Sequence, residues 1–372
     1  MEQDIFMNVC IPLLGVKSEE DISGFLTKDL EVIKPSLEGW EFLNQPEVFS
    51  EQQRQGIPMM VNEENIPYCI QFTLEDIEDK SNVQRKKELI KITEQVVLSL
   101  QLYKEGWFFN PQQYQLFFVL NENGVFKGRY TGPFRQINFD QFNGLFPKQY
   151  YLNKNDLTIN NAMIMNTPFA NTYKIVSDYN SITPNSSVDY AIKNFRMSYN
   201  LFGGYSHRVN FLFTMIDCIL GDLKARKIHK TQVNVRFLQR ANIILSDYPN
   251  CDDEINWLVS DAGKDNYKSS TEWKLIGARV YRNLIAHGNA EDADFLIHVN
   301  EHFERIQNIA RHLLKKYILF YFFTETKPDQ YNKLNFSNDK LLSEKFYLFI
   351  EGVKEQKIAH IELLNNINRF IC

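Results

Sequence analysis

The 372 residues are 44% apolar and 23% charged, a globular make-up with room for about two or three domains, which excludes wholesale disorder. Lysine and arginine total 41 against 46 acids, and the net charge of -5 excludes a uniformly basic protein that coats nucleic acid. Five widely spaced cysteines without a C-x-x-C pair argue against a disulfide scaffold or a cysteine-based zinc site, and in favour of a reducing, cytoplasmic setting. The acidic start, without a basic stretch, suggests no signal peptide. The most apolar run, 317–323, is far shorter than the roughly 18–20 residues that span a bilayer, so no membrane association is expected.

The first half reads as mixed α and β. Residues 5–14, 68–74 and 114–120 are short apolar or alternating runs rich in Phe, Val and Ile, as strands are. Asn121-Glu122-Asn123-Gly124 is a turn signal, after which Val125 and Phe126 begin a returning strand. Between the second and third runs, Leu89, Ile92, Val96, Val97, Leu100 and Tyr103 recur at spacings of mostly three and four, which predicts a helix over 82–103 ended by Gly106. Residues 110–180 otherwise read as irregular. Charge is uneven. Residues 1–66 hold 13 acids and 4 bases, a balance of -9 against +4 for the rest; such a segment is either a solvated face or a cover for a basic surface.

After a Ser-, Pro- and Asn-rich loop at 181–187, almost everything reads as helix, with Ser186 and Asp189 as a capping box. Helices are expected over 188–201, 207–224, 232–245, 271–287, 292–323, 339–351 and 354–370. Leu296, Val299, Phe303, Ile306, Ala310, Leu313 and Tyr317 form one stripe in the fifth, as in a bundle or dimer seam. The fold class expected is α+β: an N-terminal mixed domain over 1–180, a helical bundle over 188–323 and a helical extension over 324–372.

Chemistry concentrates in Tyr281-Arg282-Asn283-Leu284-Ile285-Ala286-His287-Gly288. Arg282 and His287 lie roughly 140° apart on a straight helix, so they meet only if the helix ends at Gly288 and frees His287, or if a second copy supplies the partner. A helix C-terminus also favours the imidazolium form. A purely structural reading stands beside this one, with Arg on a carboxylate and His on the last carbonyls.

Arg-Asn-x-x-x-His at the end of a helix resembles the signature of the HEPN superfamily. Residues 191–196 and 211–222 are similar to the early helices of its Apea-like branch, and the Tyr281–Gly288 block to that branch's terminal motif. The likeness covers 188–323. An acidic residue, commonly Glu, is usual in the second helix; here it is Asp217, one methylene shorter. The resemblance implies a homodimeric, metal-independent endoribonuclease, often a toxin or an antiphage abortive-infection effector, needing no cofactor. In it His287 would move the proton of the RNA 2′-OH or the leaving oxygen, Arg282 would hold the phosphate, and Asn283 would orient either. Tyr281, Asp217 and Arg240 are supporting residues, and Arg240 is read as facing inward toward Asp217. Asn289 stands where a nucleotidylated Tyr would occur in a related branch. The alternative is a non-catalytic HEPN dimer that binds RNA, nucleotide or protein.

Lys224, Arg226, Lys227, Lys230, Arg236 and Arg240 crowd into 17 residues with His229, either a phosphate-tracking patch for RNA, tRNA included, or a solvated loop. A regulatory or trigger protein is a further possible partner, the acidic first region being a candidate restraint. His298-Val299-Asn300-Glu301-His302 matches the inverted zinc-peptidase pattern, with two histidines one turn apart and no third ligand in evidence. Gly203-Gly204 lacks the Lys-Ser/Thr of a phosphate-binding loop.

Overall fold

The computed structural model describes residues 5–12, 16–17, 23–27, 30–34, 68–76, 82–103, 116–120, 126–131, 150–151, 168–199, 204–221, 230–259, 293–327, 334, 336 and 341–371. The chain divides into two compact units, Met1–Lys174 and Ile175–Cys372. The class is α+β, with helix predominant among the described residues.

The first unit holds β1 (Ile5–Pro12), β2 (Val16–Lys17), β3 (Gly24–Thr27), β4 (Leu30–Ile33), β5 (Cys69–Asp76), α1 (Asn82–Tyr103), β6 (Leu116–Leu120), β7 (Phe126–Thr131) and β8 (Tyr150–Tyr151). Six strands form one sheet in the order β3-β4-β5-β1-β6-β7, antiparallel throughout. β2 and β8 pair separately and in parallel. The expected strands at 5–14, 68–74 and 114–120 thus occupy the sheet centre, and β7 is the expected return after Asn-Gly. The β3–β4 ladder was not foreseen, because four-residue strands give too few alternations to read. On β4, Leu30 and Val32 are buried while Glu31 and Ile33 are half-buried, the period-two pattern of a sheet with one covered face. Glu31 sits opposite Gln71, whose Nε2 donates to its Oε1 at 3.2 Å across the strands. α1 has the bounds that its spacing predicts, and Val96 through Leu102 are buried on every side.

The unit boundary falls within α2 (Pro168–Asn180), a helix where the sequence reads as irregular. Phe169, Thr172, Val176 and Tyr179 are buried at helical spacing, but two are polar-bearing and the run is short. The second unit continues with α3 (Ser186–Met197), α4 (Gly204–Leu220), α5 (Lys230–Ile244), α6 (Cys251–Val259), α7 (Ala293–Thr326), α8 (Leu342–Lys354) and α9 (Ile358–Ile371). The expected capping box at Ser186 is not the device that starts α3. Asn185 is the cap, its side chain accepting from Ser187 N–H at 3.0 Å, and Asp189 instead accepts from the Tyr179 hydroxyl. The helix expected over 207–224 ends at Leu220, and α6 is an additional nine-residue helix. The helix expected over 271–287 lies outside the described residues.

α7 is the spine of this unit. α3, α4, α8 and α9 all pack on it, and α5 packs on α8 and α6. Phe303, Ile306, Ala310, Leu313 and Tyr317 are buried as the stripe predicts. From Tyr317 to Phe323 the helix is buried almost all round, because α8 and α9 close over it. The aromatic core there is tight: Phe320 lies 4.9 Å from Phe346 and 5.0 Å from Phe349, and Phe323 lies 5.3 Å from Phe370. Among the described residues no helix is long and apolar enough to cross a membrane.

Candidate functional site

The sequence-derived site residues fall into three groups. Tyr281, Arg282, Asn283 and His287, together with Lys224, Arg226 and Lys227, lie outside the described residues. Lys230 opens α5 and Arg236 lies within it, placed by backbone alone. Asp217 and Arg240 are described fully. Asp217 is half-buried in the last turn of α4, where its carbonyl accepts from Gly221 N–H at 2.8 Å. A side chain at Gly221 would put Cβ 2.1 Å from that carbonyl oxygen, so glycine is required for the close approach that ends α4.

Arg240 is 2% exposed and leaves the basic patch altogether. Its Nη1 donates to the carbonyls of Leu220 and Gly221, and its guanidinium lies 4.6 Å from the Tyr347 ring centroid. The side chain expected to face Asp217 therefore reaches the end of the same helix and satisfies carbonyls that have no partner within it. Its work is to seat α4 against α5 and α8.

A polar cluster that the sequence did not disclose lies where α5 turns into α6. Lys316 of α7 is fully buried and donates through Nζ to the Ile244 carbonyl (2.5 Å), to Asn368 Oδ1 (2.8 Å) and to Asp247 Oδ1. His312, one turn earlier, places Nε2 3.2 Å from the same Asp247 oxygen, with its ring edge-on to Tyr248 at 5.4 Å. Burial alone would raise the Asp247 carboxyl; hydrogen bonds from His312 and Lys316, with the lysine charge, outweigh it and bring the pKa to about 2. Burial pushes the His312 imidazole below its ordinary value, and Asp247 only partly opposes this. Burial, then Asp252 and Asp247, push the Cys251 thiol up, away from the nucleophilic thiolate. An open cleft beside the cluster is lined by Asn242, Ser246, Tyr248, Asn250, Cys251 and neighbouring acids. Lys316 did leave one trace in the sequence: it stands at helical spacing between Leu313 and Phe320, inside the apolar stripe.

Toward the start of α7 the helix meets α6. Arg305 Nε donates to Glu254 Oε2 at 2.6 Å, and its guanidinium stacks 3.9 Å from the Trp257 ring centroid. Trp257 also packs on His302, 5.4 Å between centroids. One member of the zinc-like His298/His302 pair thus has an aromatic neighbour, while the His298 side chain lies outside the described residues. Among the described residues no three His, Cys, Asp or Glu side chains are grouped to hold a metal ion.

No family model matches the chain, and neither curated proteins nor solved structures yield a match.

Proposed function

We propose that the chain is a metal-independent endoribonuclease of HEPN type, a toxin or antiphage effector acting as a homodimer on RNA. The Tyr281–Gly288 block carries the reading, and its setting supports it. The block lies between α6 and α7, in the unit where α3 and α4 pair with each other and with α7. Those two helices carry the stretches whose sequence resembles the Apea-like branch. Arg282 supplies a fork for a phosphate and stabilises charge as the phosphorane forms. His287 takes the 2′-OH proton or returns one to the 5′-oxygen, chemistry suited to a group that titrates near neutrality. Asn283 orients one or the other. The RNA brings its own nucleophile.

The test is full-length protein on total RNA and tRNA in excess EDTA. Cleavage should persist and leave 2′,3′-cyclic phosphate ends, and a 2′-deoxy substitution at the scissile nucleotide should block it. His287→Ala and Arg282→Ala should each lose about 10²-fold or more, and Arg282→Lys should rescue poorly, since lysine lacks the fork. Abolition by EDTA and by His298→Ala, with Arg282→Lys mild, would replace this reading with the zinc hydrolase. Absence of cleavage by wild type, with RNA still bound, would leave the non-catalytic binding dimer.

A further inference from the structure

The outer side of α6 carries charge of both signs around one aromatic ring. Arg305 of α7 is held from two directions, by Glu254 at Nε and by the Trp257 ring, whose centroid lies 3.9 Å from its guanidinium. The side chain is still 33% exposed, and Nη1 and Nη2 make no hydrogen bond among the described residues. A fork that is already fixed loses little freedom on meeting an acid. Asp252 and Asp253, in the first turn of α6, are exposed, and Asp253 stands one turn from the half-buried Trp257 on the same side of the helix. α6 runs against α7: Asp247, just before it, meets His312 and Lys316, Glu254 meets Arg305, and Trp257 meets His302. Trp257 is two residues short of the end of α6, so the chain leaves this face for the stretch that bears Arg282 and His287.

We propose that this face is a self-complementary seam between two copies of the chain, in which the Arg305 fork of each meets the partner's Asp253 and Trp257 is covered beside it. The inference rests on the homodimer of the reading above and gives that dimer its contact surface. A two-fold axis across α6 sets the two copies of the helix antiparallel, so that one Arg–Asp contact implies the second. Charge selects the occupant. The acids of the first turn, Asp252, Asp253 and Glu254, repel an RNA backbone. Arg305, at the same place, opposes a partner that is basic throughout. A second copy brings both signs in the same proportion: Glu254 stays with its own Arg305, while Asp253 takes the partner's fork. Tryptophan and arginine are the side chains that most often anchor such contacts, through large rigid area and directed donors. The seam also suits the proposed chemistry. It brings the ends of two α6 helices, from which the chains run on toward their Arg282–His287 blocks, near one axis, as a composite site requires.

Analytical ultracentrifugation of the full chain tests the seam. Wild type should dimerise at micromolar concentration. Asp253→Arg, at an exposed position, and Trp257→Ala should each weaken self-association by about thirtyfold or more, the scale of an interface anchor. Mixing is the sharper measurement. Asp253→Arg and Arg305→Glu each repel their own kind, yet a pair made of one of each restores both cross-chain contacts, so the equimolar mixture should dimerise where neither variant does alone. Should Arg305→Glu not fold, Trp257→Ala carries the second measurement. A monomeric wild type overturns the seam. So does unchanged self-association in Asp253→Arg or in Trp257→Ala, or a mixture of folded variants no more dimeric than its components. A wild type that dimerises through this face yet cleaves no RNA removes the endoribonuclease reading and leaves the seam standing.

Discussion

Gly352 of α8 shows how tightly single residues are specified. His360 of α9 lies flat against Phe349, and a Cβ on Gly352 would stand 2.0 Å from its Cδ2. Gly352→Ala therefore drives a methyl group into a buried ring. It should cost about 1–3 kcal/mol in urea unfolding, and a variant of parental stability would show that the α8–α9 hairpin is looser than described. Lys316 makes the opposite case. Lys316→Met fills the volume but leaves Asp247 with His312 alone, and removing one partner of a buried pair typically costs about 3–5 kcal/mol. Lys316→Met combined with Asp247→Asn should recover part of that loss, and strict additivity in this double-mutant cycle would deny the coupling. Neither role was legible in the sequence, where Lys316 left only its place within the apolar stripe. Gly352 has no local signature, and the partners of Lys316 lie 52, 69 and 72 residues away.

At the scale of elements, legibility followed the strength of periodicity. α1 and α7 could be read because their apolar stripes run for several turns, and the central strands because they are long and rich in Phe, Val and Ile. β3, β4 and α6 are shorter than the patterns that reveal such elements, and α2 hides its stripe behind Thr172 and Tyr179. The sites differ in the same way. The Arg282–His287 block is local in sequence and could be found there, whereas the Asp247–His312–Lys316 cluster exists only once α5, α7 and α9 have met. That meeting fixes the acid response of the helices. His312 and His360 both have pKa values lowered by burial, so the unfolded chain binds protons below about pH 6.5 that the folded chain refuses. Stability should thus be greatest above that pH and fall as pH drops toward 5. Asp247, depressed to about 2, adds a further loss only below about pH 4. Urea midpoints measured from pH 7.5 to 5 should decline for wild type and decline less for His312→Gln. A flat or rising profile would contradict the assignment.

For the whole molecule, the two units divide the work unequally as the sequence describes it. The acidic excess lies within the first 66 residues, while the proposed chemistry and the basic run at 224–236 both belong to the second unit. Oligomeric state is where the proposed chemistry meets the whole chain. Arg282 and His287 project roughly 140° apart from one straight helix, so a phosphate held by one and a proton moved by the other require either a helix end at Gly288 or two copies of the block facing one cleft. The second arrangement makes activity depend on association. Static light scattering at micromolar concentration should then report twice the 43.9 kDa of the chain, and specific activity should fall on dilution in step with the dimer fraction. A preparation that is monomeric by scattering and retains full RNA cleavage would place both residues in one copy, leaving the helix end at Gly288 as the means of bringing them together.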